Sequence, residues 1–205
     1  MAHYFEYDKN LKSEEKEIIV NINDTQLKFL TDNGVFSKKG LDFGTRSLLS
    51  TLDINKLKGD ILDFGCGYGP IGIYIKKVSI ANVTMLDVNK RSVTLAKKNV
   101  ILNNVDVEVI ESNIYENVDK KFDYIISNPP IRVGKKILYE ILFGAKNYLK
   151  ENGELWIVVN KSQGAKSLIK DLSKEYKVEV KNKNKGFYII SCLMSWLIAI
   201  SLVKL

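Results

Sequence analysis

The sequence predicts an α/β fold: a mostly parallel seven-stranded sheet with helices on both faces, an antiparallel C-terminal hairpin, and a small β-hairpin cap at the N-terminus. Three observations predict it. Short apolar runs alternate with longer periodic ones from Gly59 onward, the first apolar run ends in a glycine-rich turn, and two β-prone runs follow the last helical pattern. Alternation of strand and helix implies parallel strands buried on both faces.

The elements follow in order. Residues Ile18 to Leu30 read IIVNINDTQLKFL, two β-prone runs around Asn23-Asp24, a pair that tolerates the positive φ of a tight turn. Gly34-Val35-Phe36-Ser37 and Asp42-Phe43-Gly44-Thr45 come next, and a helix over Thr45 to Leu52 would place Leu48, Leu49 and Leu52 on one face. Residues 1–56 are therefore expected to form a cap on a core spanning 57–190. Within that core the strand-like runs are Ile61 to Phe64, Val83 to Leu86, Val107 to Ile110, Tyr124 to Ser127 and Leu155 to Val159. Helical patterns cover Pro70 to Lys77, Arg91 to Leu102, Lys135 to Leu149 and Ala165 to Glu175. Val178 to Val180 and Phe187 to Ile190, joined by a basic turn, complete the sheet as a hairpin.

The chain has 205 residues, 45% hydrophobic and 27% charged, with 31 Lys+Arg against 24 Asp+Glu and a formal net charge of +7. These values exclude a disordered or collagenous chain and give one domain enough residues for its own core. Cys66 and Cys192 are too few and too far apart to frame a disulfide scaffold, and the Met-Ala-His start lacks a secretory pattern, so a cytoplasmic location is expected. The cationic excess favours an anionic partner such as nucleic acid. A proteome rich in Lys, Asn and Ile explains it equally well.

Phe187 to Val203 carries no charged residue. A membrane span usually needs about 20 apolar residues, so this stretch falls short and no membrane partner is expected. Three readings of the apolar tail 191–205 stay open: a buried tail after the last strand, a tail anchor, or a sequence altered at its end.

Two constellations carry chemistry. Asp63-Phe64-Gly65-Cys66-Gly67-Tyr68-Gly69-Pro70 turns from strand to helix, where glycines let backbone approach a ligand and the helix start offers free N–H groups. A dinucleotide fingerprint would need glycine at position 70, and Pro70 stands there. Asp87 closes the second core strand, where an acidic side chain can accept ribose hydroxyls. The other constellation, Ser127-Asn128-Pro129-Pro130-Ile131-Arg132, ends the fourth core strand at the same sheet edge. Its prolines remove two donors and leave the Asn128 side chain and the Pro129 carbonyl as oriented acceptors for a planar amine. Taken alone, an Asn-Pro-Pro is more often only a loop. The two Cys and lone His form no metal cluster, so no metal is expected.

Together these residues resemble the class I S-adenosylmethionine-dependent methyltransferases with an Asn-Pro-Pro motif, a Rossmann-like fold. The closest resemblance is to the small methyltransferase domain of RsmC-like guanine-N2 methyltransferases of ribosomal RNA. It extends from His3-Tyr4-Phe5 through Gly34 to Ser37, Asp42 to Thr45, Asp63 to Gly69, Asn128 to Pro130 and Gly153 to Asn160, to Lys185-Gly186-Phe187. The resemblance implies S-adenosylmethionine as cofactor, held by Asp63, Gly65, Cys66, Gly67 and Gly69 around its methionine part. It also implies Asp87 and Val88 at the ribose, Asn113 and Ile114 at the adenine, and Phe36 and Thr45 closing over it. Asn128, Pro129 and Pro130 become the catalytic motif, with Ile131 and Arg132 at the substrate. The implied partner is ribosomal RNA or the small ribosomal subunit; methylation of adenine N6 or of a protein glutamine, or a non-catalytic RNA-binding relic of the fold, stay open as alternatives.

Three departures stand out. Asn113 replaces the usual Asp, Ile131 the usual aromatic and Arg132 the usual His. A ring at 131 would stack on the target base, worth about 1 to 3 kcal/mol, whereas Ile131 gives apolar contact only. Larger members of the group carry a second domain copy that helps bind RNA. A chain of this length would use a homodimer or its own basic surface, with Lys135-Lys136, Lys161, Lys166 and Lys181 to Lys185 as candidates or as simple solvated charges.

Overall fold

The structure is a computed structural model and describes residues 12–194. The N-terminal hairpin pairs β1 (Lys16–Ile22) with β2 (Thr25–Thr31), and Asn23 takes φ +48° in the turn between them. Helix α1 (Phe43–Thr51) follows, capped by Asp42, whose carboxylate accepts from Thr45 N. The core then alternates as expected: β3 (Asp60–Phe64), α2 (Pro70–Val78), β4 (Asn82–Asp87), α3 (Lys90–Leu102), β5 (Glu108–Glu111), β6 (Phe122–Ser127), α4 (Lys135–Gly144), β7 (Leu149–Asn160), α5 (Ala165–Leu172), β8 (Tyr176–Asn184) and β9 (Phe187–Met194).

The seven core strands lie in the order β5-β4-β3-β6-β7-β9-β8. Strands β3 to β7 run parallel, and β9 is antiparallel to both neighbours. The chain leaves β3 toward β4 and β5, then returns to lay β6 on the other side of β3. That reversal opens a crevice beyond the carboxyl ends of β3 and β6, the place where open α/β sheets take their ligands.

Successive strand residues face opposite apolar layers, as period-two geometry requires. Ile61, Met85 and Ile126 pack with α1, α2, α3 and the hairpin, while Leu62, Leu86 and Ile125 pack with α4 and α5. The hairpin's outer strand is closed by two asparagines one helical turn apart, Asn99 on α3 and Asn103 capping its end. Asn99 accepts from Leu30 N (2.7 Å) and donates to Leu30 O (2.9 Å), and Asn103 does the same for Lys28 (3.1 and 2.7 Å). Their amides take the place of a neighbouring strand for β2, whose backbone groups would otherwise lack partners.

Several boundaries differ from expectation: β7 starts six residues before Leu155, and β8 runs over 176–184, so most of the expected basic turn from Lys181 is strand. The helix expected over 135–149 ends at Gly144, because residues 145–147 form a short 3-10 turn and β7 begins at Leu149. Ala145 and Leu149 are both buried in the layer that α4 packs against, so the apolar spacing outlasts the helix. The helix expected to reach Glu175 ends at Leu172. The last strand continues past Ile190 to Met194, with Ser191 and Cys192 buried and paired to Trp156 and Leu155. The part of the apolar tail from 191 to 194 is therefore sheet, and residues 195–205, like the His3-Tyr4-Phe5 segment, lie outside the described residues. Among the described residues no helix is long and apolar enough to cross a membrane.

Candidate active site

The glycine turn joins β3 to α2 with Gly65, Gly67 and Gly69 all at positive φ (70°, 58° and 97°), a backbone that side chains rarely adopt. A Cβ at Gly65 would meet no atom within 4 Å, so this glycine lines open space, whereas one at Gly69 would press on Ile73 and Met85. Cys66 is buried, donates its N–H to Leu86 O (2.9 Å), and has its thiol pushed well up by burial, which leaves it inert as a nucleophile.

Beneath the turn, Asp63 is fully buried. Its Oδ2 accepts from Gly72 N (2.8 Å), and its Oδ1 has no partner among the described residues. Burial raises this carboxyl to about 7, opposed by the Gly72 bond and assisted by the nearby Asp87. A buried carboxylate oxygen without a donor among the described residues, two positions before a glycine that faces open space, suits a site shaped for a polar ligand. Asp87, at the end of β4, accepts from Gly67 N through one oxygen and from Asn89 N through the other, both at 2.8 Å. It thus fastens the glycine turn to β4, the Val88 backbone N–H also bonds the carboxylate, and burial shifts it upward as well.

At the far rim, Ser112 N donates to Asp87 O (3.0 Å), drawing the loop after β5 against β4. Asn113 is exposed and donates to Glu116 Oε1 (2.9 Å), and Ile114 sits half-buried at φ +50°. Val88 is partly exposed beside Asp87, and Phe36 is half-exposed in the loop between β2 and α1.

On the other side of the crevice, Ser127 Oγ donates to Phe64 O (2.7 Å) and locks the end of β6 to the end of β3. Asn128 follows. Its Nδ2 donates to Thr45 Oγ1 (2.9 Å) and to Asp42 Oδ1 (3.2 Å), leaving Oδ1 as the end that can accept. Pro130 has φ −74° and ψ 80°, the geometry of an inverse γ-turn, and Ile131 N donates to Pro129 O (2.9 Å). That bond fixes the direction of the Pro129 carbonyl and leaves one of its lone pairs for a ligand. Ile131 is half-buried and Arg132 exposed in the short turn that follows.

The glycine turn, Asp87 and the Asn-Pro-Pro motif thus follow the carboxyl ends of the neighbouring strands β3, β4 and β6, and Thr45 is buried against Asn128. Sequence reasoning missed the Asp42 carboxylate and the Ser127 hydroxyl. Asp42 could have been found as a helix N-cap three residues before Thr45. Tyr68 is a third omission: its hydroxyl is buried with no hydrogen-bond partner among the described residues, and burial together with the Asp42 carboxylate raises its pKa.

Residues 26–191 match the family model of the methyltransferase small domain. The chain belongs to that family. The uncharacterized protein YbxB of Bacillus subtilis (strain 168) is 40% identical over 92% of this chain and 96% of its own length. Ribosomal RNA small subunit methyltransferase C of Haemophilus influenzae (strain PittGG) is 41% identical over 71% of this chain but 45% of its own. The chain therefore spans about half the length of such relatives. Among solved structures, the 16S rRNA N2 G1207 methyltransferase RsmC of T. thermophilus, in complex with AdoMet and guanosine, superposes with TM-score 0.80 at 21% identity, over 90% of this chain and 52% of that one. The ribosomal protein L11 methylase of Lactobacillus delbrueckii subsp. bulgaricus superposes with TM-score 0.69 at 20% identity, over 86% and 97%. The protein is a methyltransferase, and S-adenosylmethionine is the cofactor held in its T. thermophilus neighbour. The orphaned Asp63 oxygen and the open face of Gly65, with the Asp87 carboxylate at the next strand end, fit that cofactor's polar groups.

Proposed function

We propose that this methyltransferase methylates an exocyclic amine, guanine N2 of small-subunit ribosomal RNA, using the crevice between the glycine turn and the Asn-Pro-Pro loop. The observation that carries the reading is the Asn128 amide: its Nδ2 is spent on the Asp42 cap and on Thr45 of α1, so its oxygen is left to accept, one residue before the Pro129 carbonyl. Two acceptors at the end of one strand suit the two N–H groups of a planar amine. The named activities of the relatives point to RNA as the substrate class.

The cofactor supplies a methyl group on a positively charged sulfur, and the chain's residues do the rest. The lone pair of an aromatic amine is delocalised into its ring and is a weak nucleophile. Asn128 Oδ1 and Pro129 O accept its N–H bonds, and these strengthen as positive charge develops on nitrogen, the differential interaction catalysis requires. Asp63, Gly65, Gly67, Gly69 and Asp87 hold the cofactor, with Val88, Asn113, Ile114 and Phe36 at its rim. Fixing nitrogen, methyl carbon and sulfur in line is worth about 7 to 11 kcal/mol in favourable cases. The proton leaves after transfer, so no dedicated base is required. Guanine N2 is paired inside a duplex, which makes a loop or an assembly intermediate the better substrate.

The L11 methylase neighbour shows that this fold also serves protein substrates. Labelled S-adenosylmethionine incubated with undermethylated small subunits, naked ribosomal RNA, DNA and release factor separates the substrate classes. Label recovered as N2-methylguanosine from subunit or RNA is the expected result; label in adenine or glutamine overturns it.

A further inference from the structure

An asparagine amide has nearly the same shape at its two ends and opposite chemistry, so its neighbours decide which end meets a substrate. For Asn128 the neighbours are on α1. Thr45 Oγ1 lies 2.9 Å and Asp42 Oδ1 3.2 Å from Nδ2, and the same Asp42 oxygen accepts the N–H of Thr45 (3.0 Å). The Asp42 carboxylate can only accept, so it excludes the reversed amide, which would bring oxygen against oxygen. Thr45 is buried, and Gly44 beside it is packed so tightly on Phe187 that a Cβ there would come within 2.9 Å of the ring. The start of α1 is therefore a fixed platform rather than a loose cover.

We propose that Asp42 and Thr45 are positioning residues that hold the Asn128 amide with its oxygen toward the substrate amine. The Asp42 charge, through its bond to Nδ2, also draws electron density onto Oδ1 and makes it a stronger acceptor. The N-terminal cap is then part of the transfer machinery. A reversed amide would set a donor against the donor N–H of the amine, opposing the charge that develops there. This inference rests on the amine-presenting role of Asn128.

The test uses Thr45→Val, Thr45→Ser and Asp42→Asn in the full chain, with kcat, substrate KM, cofactor Kd by calorimetry and Tm measured for each. Valine keeps the shape of threonine without its hydroxyl. Asparagine at 42 still caps the helix but can donate as well as accept, so it removes the preference for one amide orientation. Thr45→Val is expected to lower kcat ~10- to 100-fold, the scale of a slight misplacement at a reacting centre, with KM and cofactor Kd within twofold. Thr45→Ser is expected to recover kcat to within about threefold of wild type, and Thr45→Val with Asp42→Asn to be at least as slow as Thr45→Val alone. A doubly substituted protein with kcat within twofold of wild type overturns the proposal, as does a loss of cofactor affinity parallel to the loss of rate. Asn128→Ala run alongside separates the failures. If it keeps full activity, the reading of the site fails; if it is inactive while the α1 variants are normal, only the positioning role fails.

Discussion

At the residue scale, Asp63 gives the site a pH signature. A carboxyl raised from 3.8 to about 7 on folding contributes its stability below the unfolded value and loses it as pH climbs toward the folded one. The cofactor-free protein should thus lose up to about 4 kcal/mol from this group between pH 4 and 7. Urea denaturation of wild type and Asp63→Asn at pH 5 and pH 8 measures it: the asparagine variant should show the smaller decline, and an identical decline would remove the argument. Ser127 makes a second, smaller prediction. Its hydroxyl is the tie between the ends of β3 and β6, so Ser127→Ala should cost about 1 kcal/mol and raise substrate KM more than cofactor Kd. Equal effects on both constants would mean that the tie does not set the position of the Asn-Pro-Pro loop.

At the scale of elements, the asparagine pair at the C-terminal end of α3 holds the cap to the core. Asn99 serves Leu30 on both backbone groups and also donates to Tyr68 O (2.9 Å) in the glycine turn. Asn99→Ala leaves these groups without partners and should destabilise the protein by about 2 to 4 kcal/mol, with faster amide exchange at Leu30. Unchanged protection there would show that the hairpin is held by its apolar face alone. This contact explains a limit of the sequence. The alternation of strands and helices, and the hairpin at Asn23-Asp24, were legible because burial imposes periods of 2 and 3.6 on the apolar residues. The attachment of the hairpin was not, because Asn99 and Asn103 are polar and read as an ordinary helix surface. The end of α4 was misread for the opposite reason: Ala145 and Leu149 keep the helical spacing after the backbone has changed course. In the site, glycines and prolines announced the two turns through their backbone constraints, but the bond from Ile131 N to Pro129 O and the pairing of Asn128 with α1 depend on contacts across 86 residues or on local closure that no spacing encodes.

At the scale of the molecule, charge is distributed unevenly about the crevice. The segments 127–139, 160–170 and 180–194 bring the Asn-Pro-Pro loop, the end of β7 and the β8–β9 hairpin together, and none of them contains Asp or Glu. They carry the exposed Arg132, Lys135, Lys136, Lys161, Lys166, Lys183 and Lys185, and Lys185 lies 5.1 Å over the ring of Phe43 beside the site. If the substrate is RNA, as proposed above, its backbone is expected to run over this side. Changing Lys136, Lys161 and Lys185 to Gln should weaken RNA binding and make the slope of log affinity against log salt shallower by about 2, since each phosphate contact to a single strand contributes roughly 0.7. An unchanged slope would place the RNA elsewhere. The central claim, that Asn128 serves the transfer step and not cofactor binding, is tested most directly by single-turnover methyl transfer and cofactor Kd in wild type and Asn128→Ala. The account predicts a Kd within twofold and a transfer rate lower by about 100-fold or more. Equal rates, or a Kd that weakens in step with the rate, would contradict it.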